Sequence, residues 1–198
     1  MSQLVLSGSL KEFFKLLVEE VVQRQRVNLA EVTEFYVVNL LSEFATAEKL
    51  FTQDFEGKKE AEPLALLYTR ALQQERDQRI RTLRQLGDQS LYTAGFFQAS
   101  LRDRVVGSDY YMQMGRKAYA AIVDLAPSTP FSHVSMELDQ KFSTLVEGLK
   151  EIAARGQVAS GPQGQMQVFE TWAKTGDSHL ESVLIDAGML PKKKVLAN

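Results

Sequence analysis

Apolar positions recur at three- and four-residue steps along most of the chain, the spacing of a helix that buries one side. In residues 9–26, Leu10, Phe13, Phe14, Leu17, Val18 and Val21 gather on one face, while Glu12, Lys15, Glu19 and Gln23 take the other. Residues 138, 142, 145, 149 and 152 are Leu, Phe, Leu, Leu and Ile. This narrow seam suits packing inside a bundle or pairing with a second chain. No stretch shows sustained apolar–polar alternation bounded by turn residues, so no strand is expected.

Start and stop signals divide the pattern. Ser9 and Glu12 have capping-box spacing, and Asn28 and Glu31 repeat it. Glu62-Pro63 sets up a further start. Gly87-Asp88, Gly107-Ser108 and Gly176-Asp177 each read as a stop followed by a new cap, and Pro127 and Pro130 break the chain once more. The expected helices are 9–26, 29–53, 63–86, 89–106, 109–125, 132–155, 165–175 and 178–187. The expected fold is all-α, a compact multi-helix bundle of about six main helices plus a small C-terminal helical hairpin. The bundle should span 1–155. A linker rich in Gly, Ser and Pro, the hairpin and a tail should follow over 156–198, packed on the same domain. The segment FEGKKEAEP reads as a charged loop and PKKKVLAN as a solvated tail.

One helix departs from the simple pattern. In EFYVVNLLSEFATAEKLF, residues 34–51, Tyr36, Val37, Val38, Leu40, Leu41, Phe44, Ala45, Ala47 and Phe51 spread over more than half the circumference. Asn39, Ser42, Glu43 and Thr46 form a thin polar lane. Such a helix needs cover on several sides. Its lane has three possible environments: solvent, an internal pocket or a subunit interface.

Composition removes several kinds of chemistry. The 198 residues carry a formal charge of −2, with 44% hydrophobic and 24% charged residues, and include no cysteine. Disulfides, thiolate metal ligands, Fe–S clusters and cysteine nucleophiles are therefore excluded. A pI near 5.8 offers no global attraction to nucleic acid. No basic leader segment and no membrane-length apolar run stands out, so a cytoplasmic, single-domain protein is expected.

Motifs for catalysis are missing. The sequence has no GxSxG elbow, P-loop, GxGxxG loop or HExxH pair. His133 and Glu137 share a helical face but supply only two potential ligands, so no metal site and no cofactor are expected. Arg76, Arg79, Arg81 and Arg84 invite a nucleic-acid reading, yet at helical spacing they fan around the axis beside Glu75 and Asp77. Arg102, Asp103 and Arg104 could bind a carboxylate or simply pair with one another.

The most individual stretch places Tyr92, Phe96, Phe97, Tyr110, Tyr111 and Tyr119 on two helices, with Gly95 and Gly115 inside them. Helix-interior glycine permits close packing or leaves space beside the backbone. Asn39, Glu43, Tyr92, Tyr110 and Tyr111 are thus the candidate ligand-binding residues, for a small hydrophobic or aromatic molecule. Leu138, Phe142, Leu145, Leu149 and Trp172 are the candidate interface residues. With every catalytic motif failing, the expected function is a non-catalytic protein-interaction or regulatory module that self-associates, its partner a second copy in a homodimer or another protein. The alternatives are a ligand-binding helical protein, possibly an enzyme, and a nucleic-acid-associated regulator.

Overall fold

The first amides of a helix have no partner within it, so caps and prolines are favoured where helices begin. The computed structural model describes residues 2–51, 63–97 and 107–189, with side chains from residue 10 to 46 in the first stretch. These residues form α1 (Ser2–Arg24), α2 (Glu31–Phe51), α3 (Leu64–Leu72), α4 (Arg76–Phe96), α5 (Ser108–Leu125), α6 (Pro130–Gln140), α7 (Phe142–Ala159), α8 (Pro162–Thr175) and α9 (Ser178–Asp186). No strand occurs among them, so the chain is all-α.

Nine helices among the described residues replace the expected count of about six plus a hairpin. The helix expected at 63–86 is two, α3 and α4, separated by a short turn. Arg79 on α4 reaches back across that turn, donating to the Ala71 carbonyl (3.1 Å) and the Leu72 carbonyl (2.9 Å) at the end of α3. It thereby satisfies carbonyls that the helix end leaves open. The stop expected at Gly87-Asp88 does not occur, since α4 continues to Phe96. The helix expected at 132–155 is α6 and α7, interrupted at Lys141. Between α7 and α8 only Ser160 and Gly161 remain of the expected linker, and Gly161 turns the chain at φ 112°. α1 starts at Ser2, so Ser9 lies inside a helix and does not begin one. The charged loop before Pro63, the Arg102–Asp103–Arg104 set and the PKKKVLAN tail lie outside the described residues.

The cap read at Ser108 does not form, since Gly107 takes the cap position of α5 without a side-chain bond and Ser108 is the first helical residue. Thr129, which sequence reasoning did not single out, caps α6, its side chain accepting from the Ser132 amide at 3.1 Å. Gly176 ends α8 in the left-handed conformation at φ 65°, and Asp177 then caps α9 by accepting from the His179 amide at 2.8 Å. The start of α2 is held differently. Both Glu137 carboxylate oxygens, on α6, accept from the Ala30 amide at 3.1 Å. A side chain 107 residues away does the work expected of a local cap.

The chain divides into two units, Met1–Gly148 and Leu149–Asn198. In the first, α4 packs along α5, α5 along α6, α3 on α4 and α1 on α2, while α2 also meets α6 and α4. Its core includes Leu41, Leu67, Leu83, Leu86, Leu91, Tyr119, Ile122, Leu138 and Phe142, all fully buried. In the second unit, Trp172 centres a cluster with Ala154, Val168, Val183 and Leu184, edged by Val158, Phe169, Leu180 and Met189. Glu151, fully buried there, is paired with Arg155 at 3.0 Å.

Two glycines set how closely the first unit packs. A Cβ at Gly87 would stand 2.7 Å from the Tyr119 ring, and one at Gly115 would collide with the Phe142 ring and the Ser90 side chain. Both rings are fully buried and have nowhere to move. In the helix seam, Leu138, Phe142, Leu145 and Leu149 are buried within this single chain, as is Trp172. A surface for a partner has to come from elsewhere.

Gly115→Ala tests the packing argument. Helix propensity favours alanine by ~1 kcal/mol, while overpacking a filled core costs ~1–3 kcal/mol. The expected result is a net loss of stability, read as a lower urea midpoint. A midpoint at or above that of the parent protein would contradict it.

Candidate functional site

One carboxylate ties α2 to two other helices of the first unit. Asp88 stands on α4 with 15% of its side chain accessible. Its Oδ1 accepts from the Tyr36 hydroxyl of α2 at 2.6 Å and from the Tyr119 hydroxyl of α5 at 2.8 Å. Arg84, one turn earlier on α4, donates from Nε to the Tyr36 oxygen at 2.9 Å and lies 3.6 Å from Asp88 Oδ2. Its guanidinium sits 5.0 Å from the Tyr36 ring centre and 5.2 Å from that of Phe131 on α6, within cation–π range.

Gly87 makes this possible. With no Cβ there, the Tyr119 ring crosses α4 directly beside the residue that its hydroxyl must reach. Burial pushes the Asp88 pKa above its ordinary value, and the hydrogen bonds from Tyr36 and Tyr119 and the charge of Arg84 recover only part of that. Burial likewise raises the Tyr36 and Tyr119 hydroxyls, with the Asp88 charge adding to it. Burial opposes the charge on Arg84, but Tyr36 and Asp88 outweigh it and hold the guanidinium above its ordinary pKa. Two hydroxyls that donate to a carboxylate and resist ionisation do not act as bases. The network joins four helices and holds Arg84 in place.

Beside the network lies a groove of about 310 Å³ lined by Glu43, Phe44, Arg81, Arg84, Gln85 and Asp88. Glu43 is the one candidate ligand residue that the fold brings here. Tyr92 is buried, stacked at 4.6 Å on Phe44 and at 4.7 Å on Phe96. Tyr110 and Tyr111 meet each other edge to face at 5.7 Å, and neither lines this groove. In the polar lane, Asn39 donates to the Phe35 carbonyl, Ser42 to that of Val38 and Thr46 to that of Ser42. The lane is therefore bonded within its own helix, with Glu43 as the member that reaches outward.

Asn39 opens instead on a second groove, about 370 Å³, between α1 and α2. Lys11, Glu12, Lys15, Glu19, Glu31, Glu34, Phe35 and Val38 also line it. Burial and the neighbouring Glu19 raise the Glu34 pKa. Leu16 and Phe35 are each 67% exposed on this hairpin, with Phe13 and Val32 also exposed.

The remaining candidates have structural employment. Arg76 donates to the Leu125 carbonyl at 2.8 Å, so with Arg79 two of the four arginines are committed to backbone. Glu137 holds the start of α2 and pairs with Lys141, while His133 is exposed. Sequence reasoning did not single out Tyr36, Arg84, Asp88 and Tyr119 as a group. The four-residue spacing of Arg84 and Asp88 was the available signal, and it resembles any surface ion pair. No protein-family model, curated protein or solved structure matches the chain.

The raised pKa of Asp88 has a definite sign. The native carboxyl binds its proton more tightly than the unfolded one, so the contribution of this group to stability grows as pH falls through its native pKa. The gain is complete below its ordinary value of 3.8. Asp88→Asn keeps an acceptor for the tyrosines without the titration. Urea unfolding should show the stability of the parent protein rising relative to this variant between pH 7 and about pH 4. A constant or falling difference would contradict the assignment.

Proposed function

We propose that this chain is a non-catalytic protein-interaction module of the cytoplasm that forms a homodimer through the outward face of the α1–α2 hairpin. The observation that carries the proposal is the exposure of Phe35 in a groove whose two ends differ in charge, with Leu16 also exposed on α1. Large apolar side chains open to water in one place are a common mark of an interaction surface. Away from the inter-helix turn the lining has Lys11 and Lys15 against Glu12; nearer the turn it has Glu19, Glu31 and Glu34.

That polarity suits a second copy. In a two-fold interface the same patch meets itself reversed, so residue i of one chain faces residue j of the other. An axis across the middle of the hairpin sets the lysine end of one copy against the glutamate end of its partner. Leu16 and Phe35 then supply apolar area near the centre. The desolvated side chains at the centre of such a patch carry most of its energy, and the charges at its edge chiefly set orientation. The absence of cysteine agrees with a reducing compartment. Among the described residues no helix is long and apolar enough to cross a membrane.

Sedimentation equilibrium at tens of micromolar should report a dimer. Leu16→Ser and Phe35→Ser should each raise its dissociation constant by about tenfold, the size of an ordinary interface contact. Lys11→Glu should weaken the dimer, and adding Glu34→Lys should restore part of the loss. A strict monomer, or a dimer indifferent to all four changes, would reject the proposal.

A further inference from the structure

We infer that the groove between Glu43 and Arg84 is a binding site for a small zwitterion of the amino-acid type. Its carboxylate would be held by Arg81 and Arg84 and its ammonium group by Glu43. The site is separate from the hairpin face and does not depend on self-association.

Arg84 is the centre of the argument. Its Nε is fixed by the Tyr36 hydroxyl at 2.9 Å, and its plane is held against Tyr36 and Phe131. The terminal amino groups make no hydrogen bond with the described residues, and 49% of the side chain is accessible. An arginine ordinarily loses side-chain freedom when it grips a ligand. Here the fold has already removed that freedom and left the outer edge of the guanidinium available. This is the edge that carboxylates engage through paired hydrogen bonds.

The rest of the lining narrows the ligand. Arg81 opens on the same groove and makes no ion pair among the described residues, and the Gln85 amide adds a donor. On the acidic side, Asp88 Oδ1 is occupied by two tyrosine hydroxyls, whereas exposed Glu43 makes no ion pair within 4.0 Å among the described residues and acts on Arg84 only at longer range across the groove. Two guanidinium groups and two carboxylates sum to zero formal charge. A multiply charged anion meets repulsion from Glu43 and Asp88, and a simple cation meets it from both arginines. A molecule with one charge of each sign satisfies both sides. The volume, about 310 Å³, stands at the lower end of small-molecule sites. Phe44, backed by Tyr92, supplies an apolar wall suited to an aromatic or aliphatic side chain.

Isothermal titration calorimetry with L-phenylalanine, phenylacetate, phenethylamine and inorganic phosphate tests the assignment on the full chain. L-Phenylalanine should bind saturably, and the two analogues that each lack one charge should bind at least about tenfold more weakly, the value of one charge-assisted hydrogen-bonded group. Glu43→Gln should reduce L-phenylalanine affinity by about tenfold and leave phenylacetate bound at least as tightly, because a repelling charge is removed, whereas Arg81→Gln should weaken both. Both side chains are exposed, and an unaltered far-ultraviolet dichroism spectrum checks that the variants fold. Absence of saturation at millimolar L-phenylalanine would overturn the inference. So would tighter binding of phosphate than of L-phenylalanine, or variants that bind like the parent.

Discussion

A carboxylate withdrawn from water must be satisfied by the protein, and at Asp88 that requirement organises the first unit. One oxygen takes hydroxyls from two helices, and the neighbouring arginine of its own helix lies over the Tyr36 ring of one of them and the Phe131 ring of a further element. Each partner is also a packing residue. Tyr119 is part of the core, and Tyr36 contacts the Phe131 ring at 5.6 Å. Polar satisfaction and apolar burial therefore specify the same arrangement, which is the condition for a single well-defined packing.

The same geometry makes glycine indispensable at one point. Tyr119 reaches Asp88 only by passing over the backbone at residue 87, where any side chain would occupy the space of its ring. A residue that favours helix ends is thus retained in mid-helix by a close approach. The propensity cost of about 1 kcal/mol is small beside an unsatisfied buried carboxylate, worth several kcal/mol. Gly115 serves the Phe142 ring in the same way.

From this network the two surface features diverge. On the side of Glu43 it fixes an arginine whose outer edge remains open, which is what a small-molecule site needs. At the hairpin, α1 covers one side of α2 with Phe14, Val18 and Val21 buried, yet Leu16 and Phe35 are left outward. The apolar side chains of α2 are therefore of two kinds. Val37, Leu40 and Leu41 are covered by the chain, whereas Val32 and Phe35, outside the wide apolar arc, are exposed.

How much of this was legible in the sequence follows from the range of each interaction. The all-α class, the cap at Asp177, the stop at Gly176 and the need of α2 for cover at Val37 and Leu41 depend on neighbours within a turn or two, so periodicity and local chemistry announce them. Glu43 could be singled out because the lane on α2 is also local. The continuity of α4 through Gly87, the capping of α2 by Glu137 and the meeting of Tyr36, Arg84, Asp88 and Tyr119 could not be read this way. Each depends on side chains tens of residues apart, and a glycine, a glutamate or a tyrosine carries no mark of the distant group that it will meet. The one-dimensional pattern determined which segments are helices and which faces seek cover. Only the tertiary structure decided what covers them, because burial and hydrogen bonding between helices are properties of pairs of surfaces and not of either segment alone.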